Sequence, residues 1–179
     1  MIDANDDVLR ARARELARPL DAAGAAGAAA AGPESLQVIE FGLGRERYAF
    51  EAHWVREVRP LRQLTPVPCT PSHVLGVVNL RGQILAVIDI RRFFGIEQRG
   101  LGELDKMIVL ASASMEFGVL ADVVPGHRSI AADRLQASIA TFGGIHQAYL
   151  RGVTTDGLAV LDAPRLLGDE RLVVRAEFE

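Results

Sequence analysis

The side chains able to do chemistry are few and scattered. His53, His73, His127 and His146 are the only histidines, and no two have the helical spacing that presents a pair of ring nitrogens to one metal ion. Cys69, the single cysteine, stands among prolines and can complete neither an internal disulfide nor a Cys-x-x-Cys site. Lys106 is the only lysine, which removes the lysine of a phosphate-binding loop and nearly all lysine-based covalent catalysis. Ser72 and His73 are neighbours, and neighbours on an extended chain point apart. Gly42-Leu43-Gly44 and Gly100-Leu101-Gly102 each begin a dinucleotide-type pattern, but Arg47 and Asp105 stand where its third glycine belongs, so both read as turns. Asp89 and Asp162 could form an acid–base pair only if brought together, and their equivalent places in an internal repeat predict helix capping in separate units. His127, Arg128 and His146 are expected on solvated loops. The sequence supports no catalytic constellation, no metal site and no cofactor.

Composition narrows the choice further. The 179 residues carry 20 Lys and Arg against 23 Asp and Glu, a net charge of -3, so no global positive field attracts nucleic acid. The 49% of hydrophobic residues suffice for a packed core. No apolar run approaches the roughly 18 residues of a membrane span, and acids stand in the first 20 residues where a signal peptide would be basic and then apolar. A cytoplasmic protein, neither exported nor inserted, is expected.

What must position any functional residue is a set of short strands. Residues 1–20 run from Asp3, Asp6 and Asp7 to Arg10, Arg12, Arg14 and Arg18, the charge order that a helix dipole favours, and Pro19 stops that helix. Residues 22–32 contain only Ala and Gly and read as a linker, giving an extension over 1–35. From Leu36 the pattern alternates: Val38, Phe41 and Leu43, a turn over 44–47, then Tyr48, Phe50 and Ala52, a hairpin. Strands are expected at 54–59, 75–80, 83–89, 107–113, 115–120, 123–127, 149–153, 158–161 and 172–176. Residues 85–95 align without gaps on 158–168, with six of 11 positions identical, as a strand, a capping Asp, a helical turn and a Gly stop. A weaker echo pairs Tyr48-Ala49-Phe50 with Phe117-Gly118-Val119. One unit used twice predicts a mainly β protein of two small barrels, subdomain one over 36–100 and subdomain two over 101–168, with a C-terminal strand or tail at 169–179.

Between two apolar strands lies Asn79-Leu80-Arg81-Gly82. It reads equally as a plain turn, with positive φ at Gly82 and Asn79 bonded to its own backbone, or as an Arg held out beside an apolar neighbour for protein docking. Both readings place Leu80 and Arg81 at the tip, outside the core.

Here the sequence resembles the CheW family of chemotaxis adaptors. The likeness runs over about 36–174, through Tyr48-Ala49-Phe50, Val55-Arg56-Glu57-Val58, Thr65-Pro66-Val67-Pro68, the block 74–82, Val87-Ile88-Asp89-Ile90-Arg91, the block 117–124 and Tyr149-Leu150-Arg151-Gly152-Val153. The resemblance implies two SH3-like five-stranded barrels, no catalytic activity, and a monomer that assembles into membrane receptor arrays. It implies two partners. A chemoreceptor's cytoplasmic tip would bind at Val55, Glu57, Asn79, Leu80 and Arg81, and a CheA-type histidine kinase near Gly118, Val119, Val123 and Val124. Ala86 and Ile90 depart mildly from the family's strand pattern, and residues 1–35 have no counterpart in the minimal adaptor. That extension suggests the alternative of an accessory coupling module in a non-flagellar chemosensory pathway. The reading from another class is a small-barrel ligand-binding protein or hydrolase, which would show a deep pocket with convergent polar groups instead of a shallow groove.

Overall fold

A computed structural model of the chain describes residues 35–96, 105–136 and 145–172, with side chains from 147 in the last stretch. All of them belong to one compact unit that begins at Glu34. The expected N-terminal helix, the Ala/Gly linker and nearly all of the expected strand at 172–176 lie outside the described residues.

Eleven strands and two one-turn helices form this unit among the described residues: β1 (Ser35–Leu43), β2 (Glu46–Glu51), β3 (Val55–Pro60), β4 (Val74–Leu80), β5 (Gln83–Ile88), α1 (Ile90–Phe94), β6 (Lys106–Ala111), β7 (Glu116–Ala121), β8 (Val123–Ala131), β9 (Leu135–Gln136), β10 (Leu150–Thr154), β11 (Leu158–Leu161) and α2 (Ala163–Leu167). They build two antiparallel-rich sheets, one ordered β8-β1-β2-β11-β10-β9 and the other β3-β6-β7-β5-β4. The mainly β, two-barrel expectation holds, with six strands in one sheet where five were expected. Glu46 and Arg47, expected in the first turn, already belong to β2, so that turn tightens to Gly44 and Arg45.

The two sheets do not follow the two halves of the sequence. β1 and β2 leave the first half to join β8 to β11, while β6 and β7 leave the second half to join β3 to β5. Exchanging the halves maps β3-β6-β7-β5-β4 onto β8-β1-β2-β11-β10 strand for strand. The register agrees as well. Val87 and Ile88 run parallel beside Gly118 and Val119, as Val160 and Leu161 run beside Ala49 and Phe50. Each half's first hairpin thus completes the other half's barrel, and the division near residue 100 is corrected to an interleaved pair. Alternation tells which residues are equivalent but not which of two equivalent neighbours a strand takes, because β2 and β7 offer the same pattern of inward side chains.

Central strands are buried on both faces, which explains near-continuous apolar runs such as Met107-Ile108-Val109-Leu110. Met107 and Val109 join Val78, Leu80, Leu85, Val87 and Leu120 inside the five-stranded barrel. Ile108 and Leu110 turn the other way, toward Phe41, Phe50, Phe117 and Leu161 in the main core between the sheets. Val38, Ala49, Ile130, Leu158 and Val160 fill the six-stranded barrel.

The repeated aspartates do cap helices. Asp89 accepts from the Arg91 backbone N–H at 3.0 Å, and Asp162 from that of Arg165 at 3.0 Å. Gly95 ends α1 in the left-handed region, whereas Gly168 ends α2 at φ -94 without needing glycine's freedom.

Candidate functional site

The β4–β5 tip is a two-residue turn with φ 53 at Arg81 and φ 88 at Gly82. Positive φ at both central positions matches the right-handed twist of the flanking strands. The Gly82 N–H donates to Asn79 Oδ1 at 2.8 Å, as the plain-turn reading expects. Holding an arginine in the left-handed region costs about 1 kcal/mol. Its side chain remains 77% exposed and gives Nη2 to Glu57 Oε2 at 3.1 Å. Glu57 comes from β3, so the fold joins two expected site residues from separate strands. Asn79 is exposed beside them.

The other two expected receptor contacts lie deeper. Leu80 is 6% exposed in the five-stranded barrel's core, which corrects its placement at the tip: its strand pairs it with Gln83 and turns its side chain inward. Val55 is half-buried against the main core, across a register shift from Glu57. Ile84, not among the expected contacts, is 68% exposed. It stands opposite Asn79 and borders a shallow depression with Leu80, Gln83, Leu85 and Glu116. Its signal was legible, since it occupies the outward phase between inward Leu85 and the tip. Arg56 clasps the two Glu116 oxygens at 2.8 and 2.7 Å on this side.

The expected kinase surface divides in the same way. Gly118 and Val119 sit in β7, a central strand, and are buried. A Cβ at Gly118 would fall 2.5 Å from Met107 Sδ, so this glycine permits close strand packing and presents nothing outward. Both Val123 and Val124 belong to the edge strand β8, where Val123, 53% exposed, is presented and half-buried Val124 packs against the main core.

Other charged side chains are engaged in ion pairs within the framework. His127 and Arg128 lie in β8 instead of a loop. Arg128 and Arg47 each bridge Glu40 and Asp156 in a closed ring with contacts of 2.8 to 3.3 Å. The Thr154 hydroxyl, then Arg128 and Arg47, hold the Asp156 carboxyl well below the usual range. Asp169 is likewise held low, chiefly by Arg171, whose guanidinium also lies 5.1 Å over the Phe93 ring. Tyr149 donates to Asp169 and accepts from Arg171, and burial pushes its phenol up. No group of His, Cys, Asp and Glu among the described residues could hold a metal ion.

A charged, exposed turn on a stiff β framework, beside an isolated apolar side chain and above shallow depressions, defines a protein-docking scaffold. The CheW-like domain family model matches residues 37–171, and the chain belongs to that family, whose members are chemotaxis scaffold and coupling proteins. It is 27% identical over 146 residues to the chemotaxis protein CheW of Treponema pallidum, covering 78% of this chain and 86% of that protein. Protein FrzA of Myxococcus xanthus is 37% identical over 103 residues, 58% of this chain and 64% of that protein. The crystal structure of the scaffolding protein TtCheW from Thermoanaerobacter tengcongensis superposes with a TM-score of 0.64 at 27% identity, covering 73% of this chain and 86% of that one.

Proposed function

We propose that this protein is a non-enzymatic adaptor that binds a chemoreceptor's cytoplasmic tip with one surface and a CheA-type histidine kinase with another. It acts in the cytoplasm, at membrane receptor arrays. Glu57, Asn79 and Arg81, with Ile84 beside them, make the direct receptor contacts, while Val55 and Leu80 hold the strands beneath. The kinase packs near Val123 and Val124. The single supporting observation is Arg81, an arginine kept in an unfavourable backbone conformation at an exposed tip and oriented by Glu57. Strain of this kind persists where function requires the side chain. Truncating such an anchor costs on the order of 2 kcal/mol, roughly a 30-fold loss of affinity. The test is a receptor pull-down with Arg81→Ala at unchanged melting temperature, and wild-type retention would remove Arg81 from the site.

An accessory module for a non-flagellar pathway is the second reading, favoured by the similarity to FrzA, a relative not named as a CheW. Co-purification of partners from the source cells, with the full chain and with residues 1–33 removed, separates the two. Loss of one specific partner on removal supports the accessory role.

A further inference from the structure

The mouth of the five-stranded barrel carries two arginines that no carboxylate among the described residues holds. Arg59 is paired across the sheet with Met107, so its side chain shares the face that Met107 turns into the barrel. Arg62 follows two residues beyond the end of β3. Both rim a cleft of about 250 Å³ floored by Val78, Leu80 and Met107, with Asn79 on its far side. Gln63, also on the rim, has φ 52, one of three non-glycine residues at positive φ among the described residues.

Among the other described arginines only Arg45 and Arg134 also lack a carboxylate, and neither lines this cleft. Arg47, Arg56, Arg81, Arg91, Arg92, Arg128, Arg151, Arg165 and Arg171 each hold a carboxylate. Arg59 and Arg62 have no hydrogen bond or ion pair among the described residues. Two described acids on neighbouring elements are already engaged: Arg81 holds Glu57, and Lys106 holds Asp105 at 2.7 Å. Arg59 is half-buried and Arg62 exposed, so two like charges stand close to one apolar floor without a counter-charge, and the arrangement gains when a carboxylate arrives.

We propose that this cleft binds one carboxylate, the Asp or Glu side chain of a polypeptide docked beside the hairpin tip. The proposal rests on the docking reading only for where that polypeptide lies. The cleft is below the roughly 300 Å³ at which small-molecule pockets begin, so it admits a side chain in preference to a nucleotide or metabolite. Two planar guanidinium forks suit carboxylate geometry. The lining holds neither the lysine nor the helix N-terminus that commonly recruits phosphate.

The test uses the full chain with 15N-labelled arginine, titrated at low salt with the peptide acetyl-Gly-Gly-Glu-Gly-Gly-amide, its glutamine counterpart, or inorganic phosphate. The glutamate peptide is expected to shift the Arg59 and Arg62 side-chain signals to saturation, leave those of Arg45 and Arg134 in place, and bind equally well to Arg81→Ala. Arg59→Gln/Arg62→Gln should lose about tenfold or more in affinity, and Arg62→Gln alone, at an exposed position, gives a folded control that loses part of it. Equal shifts from the glutamine peptide, no saturation, or unchanged binding by the double variant would overturn the site. Tighter binding of phosphate than of peptide would assign it to a free anion and overturn the polypeptide. Failure of the receptor pull-down to respond to Arg81→Ala strikes the docking reading alone, since the peptide titration does not use the receptor.

Discussion

Arg81 gains nothing for its own turn by being arginine. At φ 53 beside Gly82, asparagine or glycine fits better, and the ion pair to Glu57 is too exposed to offset the difference. Arg81→Asn should therefore raise the melting temperature, by the equivalent of about 0.5–1 kcal/mol, while receptor pull-down falls. Calorimetry and pull-down on one preparation check both, and a variant that is both less stable and fully competent would refute the assignment. Asp89 and Asp162 allow a second comparison. Asp162→Ala removes a partly exposed cap, worth about 1 kcal/mol. Asp89→Ala also takes from Arg91 the carboxylate its guanidinium is buried against at 3.2 Å, leaving it only Asp122 at 3.9 Å, and should lower stability by about 3 kcal/mol in urea melts. The capping roles were legible because the repeat placed both aspartates before a helical turn. Leu80's burial was not, since a residue beside a turn faces in or out according to the cross-strand register, which a single strand's pattern leaves open.

Among the elements, the β4–β5 and β10–β11 hairpins correspond. Gly76 lies opposite Val87 just past a register shift, and Gly152 opposite Val160 just past another. Thr65 bridges Val77 as Gln136 pairs with Val153. In both hairpins a passing strand crosses so close that a side chain would collide: a Cβ at Gly76 would meet Thr65 O at 2.2 Å, and one at Gly152 would meet Gln136 O at 2.7 Å. Gly76→Ala, at φ 150 as well, is expected to destabilise more than Gly152→Ala in matched thermal melts. The short echo of Gly76-Val77 in Gly152-Val153 stood in the sequence but is too brief to separate from chance without the pairing. Beyond these glycines the first hairpin is three residues longer, and the added length carries the Asn79–Gly82 tip.

Acid acts on elements too, through the ring of Glu40, Arg47, Arg128 and Asp156 that ties β1, β2 and β8 to the β10–β11 turn, and through Asp169. Both aspartates titrate lower in the folded chain than the ordinary value of 3.8. Their contribution is complete above that value and is lost as pH falls through the folded one. Stability should be flat on their account from pH 7 to about 5 and decline below about 4. Asp156→Asn should flatten part of that decline, modestly because its side chain is 45% exposed. Melting temperatures across this range are the check.

At the scale of the molecule, the exchanged hairpins leave neither sequence half able to close its own sheet. Fragments 36–104 and 105–172 should each be largely unfolded alone by circular dichroism, and the intact chain should melt in a single transition. Two separately folding halves would contradict the interleaved topology. The sequence showed that a unit had been used twice but not that its copies trade strands, since an internal repeat records likeness and is silent about partnership.

Parallel pairing of β5 with β7 and of β2 with β11 also places a chain crossing on each side of the molecule. Because each half of the chain runs through both sheets, drawing the barrels apart would strain strand pairing as well as the packed core.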